Sequence, residues 1–584
     1  MRASSTKDGL TVRVVAGTTS VIIGIDLQKN KRTGCLGFTI RRTDLSAGGK
    51  SVPLPNMLKF PSDTAADGIT TDRAPLQKFR WGDYTTSPGR RYRYQVVPRF
   101  GAPGHLQPAT VGDADGVAVD ITTEDDRQQD TAVFFNRAAA ASRAFGLEFP
   151  HITTEALLLG ATAEAQKARA WLARRLEEAA LAFLAQAKDN TFALHACVYE
   201  FQKPSLLGAL RDAMQRGADV QVVFHDRQKL KKGKPDPADK TASKNTDAIK
   251  TAGIGAACKP RKADPQDAIM HDKFVVLLQK DGAALAPKAV WTGSMNWTDG
   301  GVYGQLNVGH AVYDAGIATK YETLFQLLHA DSEAADLKKA LKTLTPVPAA
   351  PPPGHGIHPI FSPQSSTGML TLYAGICRDA TCLMVSAPFE LHESIRKALQ
   401  KRPEGTVHYL LLDTRKALGK PEEVRVQEGD PRNTLAVATT LSSALHDFQG
   451  KLLEGNESFL HAGIHIHSKI ILADPFGSDP ILVTGSANYS ANSTTKNDSN
   501  SLLIRGDLAV ADIYATEFMR MFEHYHFRAS EAAAEKGKKK GATPKKGKAG
   551  DALSLSEDDT WSDKYYRSGS LAELDRRMFA GTLV

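Results

Sequence analysis

The amino-acid sequence predicts an α/β chain of two duplicated halves fused as a pseudo-dimer behind an all-β sandwich, and three observations carry that expectation. A strand-helix-strand order occurs twice, once from Phe192 and again from Cys382. Each copy runs on into a His-x-Lys strand and a Gly-Ser-x-Asn turn, whereas the first hundred residues read as short strands alone. A repeat this long that is present only twice is a fused dimer rather than a solenoid, whose units are shorter and more numerous.

Residues 8–105 are expected to form the sandwich. Tyr92, Tyr94 and Val96 alternate with Arg91, Arg93 and Gln95, the period-2 pattern of a half-buried strand, and Gly and Pro punctuate the runs. The stretch WGDYTTSPGRRYRYQVVPRFG resembles a late hairpin of a fibronectin type III sandwich, a likeness of fold only. Residues 106–150 read as linker. The first half, 151–345, opens with an amphipathic helix in which Leu172, Leu176, Ala180, Phe183 and Ala187 recur every three or four residues. An apolar strand from Phe192, a helix with Pro204 at its start and Gly217 past its end, and the strand VQVVF follow. Such a unit implies a parallel pairing buried on both faces. Five prolines between Pro346 and Pro353 make 346–355 a stiff linker. The second half, 356–528, repeats the order as CLMVSAPF, ELHESIRKALQ and VHYLLLD. Residues 529–550 are Lys-rich and expected to be flexible. Residues 551–584 are expected to dock on the body, because Trp561, Tyr565, Tyr566 and Phe579 are too apolar for a free tail.

Composition narrows the function classes. With 42% hydrophobic and 24% charged residues the chain is globular, not disordered. The five cysteines are scattered without a Cys-x-x-Cys pair, so neither a disulfide framework nor a cysteine zinc site is expected. The amino terminus lacks the apolar stretch of a signal peptide, and no run approaches the ~20 apolar residues that span a bilayer. A cytoplasmic protein is expected, with signal-free export open. The net charge of +8 is unevenly spread. Seven lysines fall within Lys536–Lys548, and eleven Lys and Arg stand against three Asp between Arg227 and Lys262. The second cluster includes Lys231, Lys232 and Lys234, on a loop at a strand end, where α/β sheets place their sites. These lysines are read as polyanion-binding, with a solvated charge run as the alternative.

The chemistry is carried by His271 and Lys273 in the first copy and by His467 and Lys469 in the second, each pair two apart on an apolar strand and so on one face. Gly293, Ser294 and Asn296 follow the first pair, and Gly485, Ser486 and Asn488 the second, at similar distances of 22 and 18 residues from the histidine. One His-x-Lys says nothing; two in matched contexts point to one shared site. A phosphodiester is shielded by anionic oxygens, so its cleavage needs cationic and polar donors, which Lys273, Lys469, Asn296 and Asn488 supply. It also needs a nucleophile and a proton donor. Two imidazoles in opposite protonation states, with a reference pKa near ~6.5, meet that demand without a metal.

On these motifs the chain resembles the phospholipase D superfamily over about residues 150–528, its second half being similar to the small bacterial endonucleases of that group. The resemblance implies phospholipase D-like αβα sandwich halves, a covalent phosphohistidine on His271 and acid/base chemistry on His467, or the reverse, with no cofactor. The superfamily motif carries an Asp further along the His-x-Lys strand; Asp474 fills it in the second copy, and Leu278 stands there in the first. Superfamily members also often have a carboxylate after the turn that orients a histidine. The second copy offers Asp498 and the first only Gln305 and Asn307. Ser294, Ser486, Asp474 and Asp498 are therefore supporting residues. Lys496 and Asn497 are expected at the mouth.

Competing readings exist for several residues. His461, His465 and His467 suggest zinc, but no Cys or carboxylate partner has ligand spacing and Lys469 would repel the cation. Tyr199 and Phe389, which close equivalent strands, are read as core. Trp291 and Trp297 are read as packing, with base stacking by Trp297 as the alternative. The favoured substrate is a nucleic-acid phosphodiester. A phosphatidyl headgroup is the alternative, and a catalytically silent binding scaffold is the reading from another class. The sandwich is expected to serve a protein partner.

Overall fold

In the computed structural model, the described residues are 1–56, 58–63, 70–108, 116–126, 130–138, 142–227, 230–231, 234–236, 239–262, 268–282, 284–401, 403–438, 465–539 and 554–583. The chain is mixed α/β, with two seven-stranded mixed sheets behind an antiparallel β region. One four-stranded sheet of that region joins Arg2–Lys7, Leu10–Ala16, Val21–Leu27 and Arg80–Asp83, and the other joins Val117–Thr122, Arg91–Arg99, Gly37–Asp44 and Val52–Pro53. Tyr92, Tyr94 and Val96 face the buried interior and Arg91 and Arg93 face water, as their alternation requires. The stretch 106–150 differs from a linker. Val117, Val119 and Ile121 alternate inward and complete the sandwich, and Thr131–Phe135 runs antiparallel to Val308–Val312 at the edge of the first large sheet.

The two large sheets match strand for strand. The first runs Thr131–Phe135, Val308–Val312, Ala284–Gly293, Lys273–Asp281, Phe192–Val198, Asp219–His225, Cys258–Arg261. The second runs Gly356–Ser362, Ser499–Arg505, Ile481–Gly485, Ile470–Ala473, Cys382–Ala387, Val407–Leu412, Asn433–Val437. In each, the last three strands pair in parallel and the others antiparallel, so the strand that follows the His-x-Lys lies beside the first strand of the parallel unit. Both faces of these strands are apolar because helices cover them. One apolar cluster holds side chains of both sheets together with Tyr321 and Phe325 of the helix Ala315–His329 and Tyr514, Phe518 and Phe522 of the helix Leu508–Lys539.

That last helix continues to Lys539, into the start of the Lys-rich 529–550 stretch; residues 540–550 lie outside the described residues. In the C-terminal segment, Trp561 stacks on Phe79 at 5.4 Å between centroids, Tyr565 meets the same ring at 4.9 Å, and Tyr566 donates to Leu27 O at 2.5 Å. Where the helix Leu508–Lys539 meets the sandwich and the first half, Glu517 accepts from Arg174 at 2.7 Å, Arg520 at 2.8 Å and Ser20 at 2.5 Å. Burial alone would raise the Glu517 carboxyl, but Arg174 and Arg520 outweigh it and hold the pKa down at about 2.

Candidate active site

Both His-x-Lys strands are built alike. Lys273 Nζ donates to His271 O at 2.8 Å, and Lys469 Nζ donates to His467 O at 2.6 Å, so each ammonium is folded back beside its own histidine. All four residues are buried. The halves then exchange backbone bonds around the pseudo-twofold. His271 N donates to Asp498 O at 2.7 Å and Asp498 N to Ile269 O at 3.1 Å; His467 N donates to Leu306 O at 3.1 Å and Leu306 N to His465 O at 2.8 Å. Each histidine is therefore seated by the segment after the other half's Gly-Ser-x-Asn turn. This cross-seating brings the two motifs to one place. Burial first, and then the charges of Lys273, Lys469 and His467, push the His271 imidazole well below its usual pKa, so residues of both halves act on one ring. Burial likewise lowers both lysines, and the Glu200 carboxylate works against that on each of them.

The turns hold the remaining donors. Ser294 Oγ donates to Asn307 Oδ1 at 2.8 Å and accepts from Val308 N at 3.1 Å, and Ser486 Oγ accepts from Asn500 N at 3.0 Å. Gly293 and Gly485 sit at φ of 156° and 142°, and a Cβ on either would meet a carbonyl of the adjacent strand at 2.2 and 2.4 Å. Asn296 Oδ1 and Asn488 Oδ1 are buried without a hydrogen-bond partner among the described residues.

Asn307, not a carboxylate, orients His467. Its Oδ1 lies 2.9 Å from His467 Nδ1, and its Nδ2 donates to Gly301 O at 2.8 Å, which turns the amide oxygen toward the ring. Nδ1 of His467 therefore carries the hydrogen and Nε2 is left for chemistry. The register that matches Leu306 with Asp498 makes Ser499 the counterpart of Asn307. Ser499 Oγ and His271 Nδ1 are both buried without a partner among the described residues. The Asp498 carboxylate accepts from Arg261 Nε at 3.2 Å and pairs with Arg227 at 3.7 Å, while its carbonyl seats His271.

Asp474 lies away from this centre. Its Oδ1 accepts from Thr381 N at 2.9 Å and Cys382 N at 2.8 Å, tying down the start of a strand whose other end reaches Lys469. Leu278, at the matching place, is buried and carries its strand on to Asp281 instead. Lys231 and Lys234 face each other in a short hairpin, and Lys232 lies outside the described residues. Lys496 is half-buried and Asn497 is buried; Asn497 Oδ1 accepts from Ile269 N at 3.1 Å, two residues before His271. His461 lies outside the described residues, and among them no group of His, Cys, Asp or Glu has the arrangement of a metal site. Trp291 and Trp297 are buried, the first against Phe134 and Phe183 and the second against Phe201.

Tyr199 is buried, as expected, and its ring also lies 5.1 Å from that of His271 and 5.0 Å from Lys273 Nζ. Phe389, expected in the core, is instead 43% exposed. Its strand ends at Ala387, so Phe389 lies beyond the covering helices at the sheet's C-terminal edge.

Three further groups shape the site. Asp413 Oδ1 accepts from His465 N at 2.7 Å and Ile466 N at 3.0 Å, and His225 Nδ1 accepts from Met270 N at 3.3 Å. Asp413 follows the strand Val407–Leu412 and His225 ends the matching strand Asp219–His225, and each fixes the backbone just before a His-x-Lys. Asn245 accepts from Phe201 N at 2.8 Å and donates to Tyr199 O at 2.8 Å and His225 O at 2.9 Å, fastening the helix Thr241–Ala252 to the rim. The only advance signal for His225 and Asp413 was their common place after VQVVF and VHYLLL.

Residues 181–328 match the family model described as "Cardiolipin synthase, PLD-like domain", a span that includes His271, Lys273 and Asn296. Solved structures similar to the chain include a phosphatidylserine synthase from Haemophilus influenzae Rd KW20, at 10% identity and a TM-score of 0.40 over 60% of this chain and 85% of that one. Others are the phospholipase D family member Nuc from Salmonella typhimurium, at 20% identity and a TM-score of 0.20 over 26% and 87%, and a polyphosphate kinase from Porphyromonas gingivalis, at 12% and 0.35 over 56% of this chain. The chain spans 45% of the length of that kinase. No curated protein matches the chain. Among the described residues no helix is long and apolar enough to cross a membrane. The chain contains a phospholipase D-like domain, of the phosphodiesterase kind, at residues 181–328.

Proposed function

We propose that the chain is a metal-independent phosphodiesterase that cleaves nucleic acid through a phosphohistidine. The observation that carries this reading is the exchange of backbone bonds that seats His271 on Asp498 and His467 on Leu306, so that each histidine is held by the other half. Two buried lysines whose ammonium forms burial disfavours, despite the Glu200 carboxylate, form a receptor that an anion completes. His271, kept neutral by burial and by those cations, attacks phosphorus through an imidazole lone pair. His467 protonates the leaving oxygen and then activates water; Asn307 Oδ1 accepts from its Nδ1 in either protonation state. Lys273, Lys469, Asn296 and Asn488 stabilise the charge on the phosphoryl oxygens.

Nucleic acid is favoured over a phosphatidyl headgroup by the rim. Lys240, Lys244 and Lys250 are exposed on and beside the helix Thr241–Ala252, which Asn245 ties to the site, and the loop lysines Lys231, Lys232 and Lys234 precede it. The corresponding helix of the second half, Pro421–Gly429, carries Glu422, Glu423 and Glu428. Among the described residues the rim of the first half is the more basic, and a polyanion is drawn over it. We also propose that the protein is cytoplasmic and that the sandwich serves a protein partner.

The test is cleavage of a plasmid in excess chelator beside choline release from phosphatidylcholine vesicles. Nicking at the same rate with and without chelator supports the proposal; abolition by chelator, or choline release alone, contradicts it. Replacing Asn307 by alanine is expected to lower kcat about tenfold with little change in KM, the worth of one orienting hydrogen bond. Steady-state kinetics on an oligonucleotide checks this.

A further inference from the structure

We propose that Phe389 is a stacking platform for an unpaired nucleobase beside the scissile phosphate, which makes single-stranded polynucleotide the substrate class of this site; the proposal rests on the nuclease reading above. Phe389 is two residues past Ala387, at the end of the strand whose Ser386 pairs with Ile470, the residue after Lys469. The chain beyond it is tied down on both sides of the site. Leu391 N donates to Ala417 O at 2.9 Å, and His392 N donates to Tyr489 O at 2.8 Å, next to Asn488. The backbone just past Phe389 is therefore fixed between Ala417 and the second Gly-Ser-x-Asn turn, and 43% of Phe389 faces solvent.

The first half shows what this position overlooks. Val198 and Ala387 close matching strands, and Lys203 N bonds Trp297 O at 2.6 Å as His392 N bonds Tyr489 O, so Glu200 is the counterpart of Phe389. Glu200 O accepts from Trp297 N at 3.0 Å, next to Asn296, which puts this position at the edge of the anion site. The second half has an aromatic face there instead. A base stacked in a duplex offers only its edges, whereas an unpaired base offers a π-face that any aromatic ring can take.

The experiment compares kcat/KM for oligothymidylate with that for an oligomer of equal length made of tetrahydrofuran abasic residues, in wild type, Phe389→Ala and Phe389→Trp. The expected result is that wild type prefers the base-bearing strand, that Phe389→Ala lowers the ratio about tenfold, and that Phe389→Trp keeps it. Phe389 is exposed, so an unchanged thermal midpoint verifies that the variants fold. A ratio unmoved in Phe389→Ala, or a wild type that cuts duplex as fast as single strand, overturns the stacking while leaving the nuclease reading in place. A wild type that cuts neither oligomer but releases choline from phosphatidylcholine vesicles overturns the nuclease reading, and the stacking with it.

Discussion

Replacing His271 with alanine is expected to lower kcat/KM on an oligonucleotide by at least about 10³-fold, and replacing His467 to do the same, because nucleophile and acid/base belong to one step and neither half contains both. The two losses are not additive. The double variant falls no further than the worse single one, as for residues that act as a unit. The singles also differ in kind. His467→Ala still forms the phosphoenzyme from a nitrophenyl diester, whose leaving group needs no proton, and then stalls, because no base activates the water that would release the phosphate. His271→Ala forms no phosphoenzyme. Single-turnover labelling with acid-free workup distinguishes them. Label on His467 instead of His271 would exchange the two roles without dividing the site.

The second large effect is on stability. Glu517→Ala leaves Arg174 and Arg520 buried side by side without their carboxylate, and breaking a buried ion network from one side costs about 3–5 kcal/mol. Denaturant unfolding reads this as a lowered midpoint. The same carboxylate sets a pH window. Its folded pKa is about 2 against the ordinary 4.5, so its contribution is fully present above about 4.5 and is lost as pH falls through about 2. The Glu517→Ala variant lacks that component of acid sensitivity.

Much of this architecture was legible in the sequence because periodicity and duplication are local signals. The alternation from Arg91 to Val96, the twin strand-helix-strand units and the doubled His-x-Lys with its Gly-Ser-x-Asn all survive in one dimension. What was not legible depends on pairs distant in the chain. The hydrogen bond from His467 Nδ1 to Asn307 spans 160 residues, and only the shared register of the two halves reveals that Asn307 matches Ser499 rather than Asp498. Tyr199 and Phe389 lie one and two residues past the ends of matching strands and meet different surroundings, one pressed against His271 and the other facing water. Thr131–Phe135 was hidden because an edge strand of five residues between turns carries too little pattern to stand out from a linker.

In the proposed mechanism two histidines from separate halves flank one phosphorus. The most direct measurement is a crystal structure of the protein soaked with orthovanadate, which mimics phosphorus in transfer. The predicted result is one vanadium per chain, bonded to Nε2 of one histidine, with the other imidazole hydrogen-bonded to the opposite apical oxygen and Lys273 and Lys469 on the equatorial oxygens. Two vanadates, each held by one half alone, would contradict it.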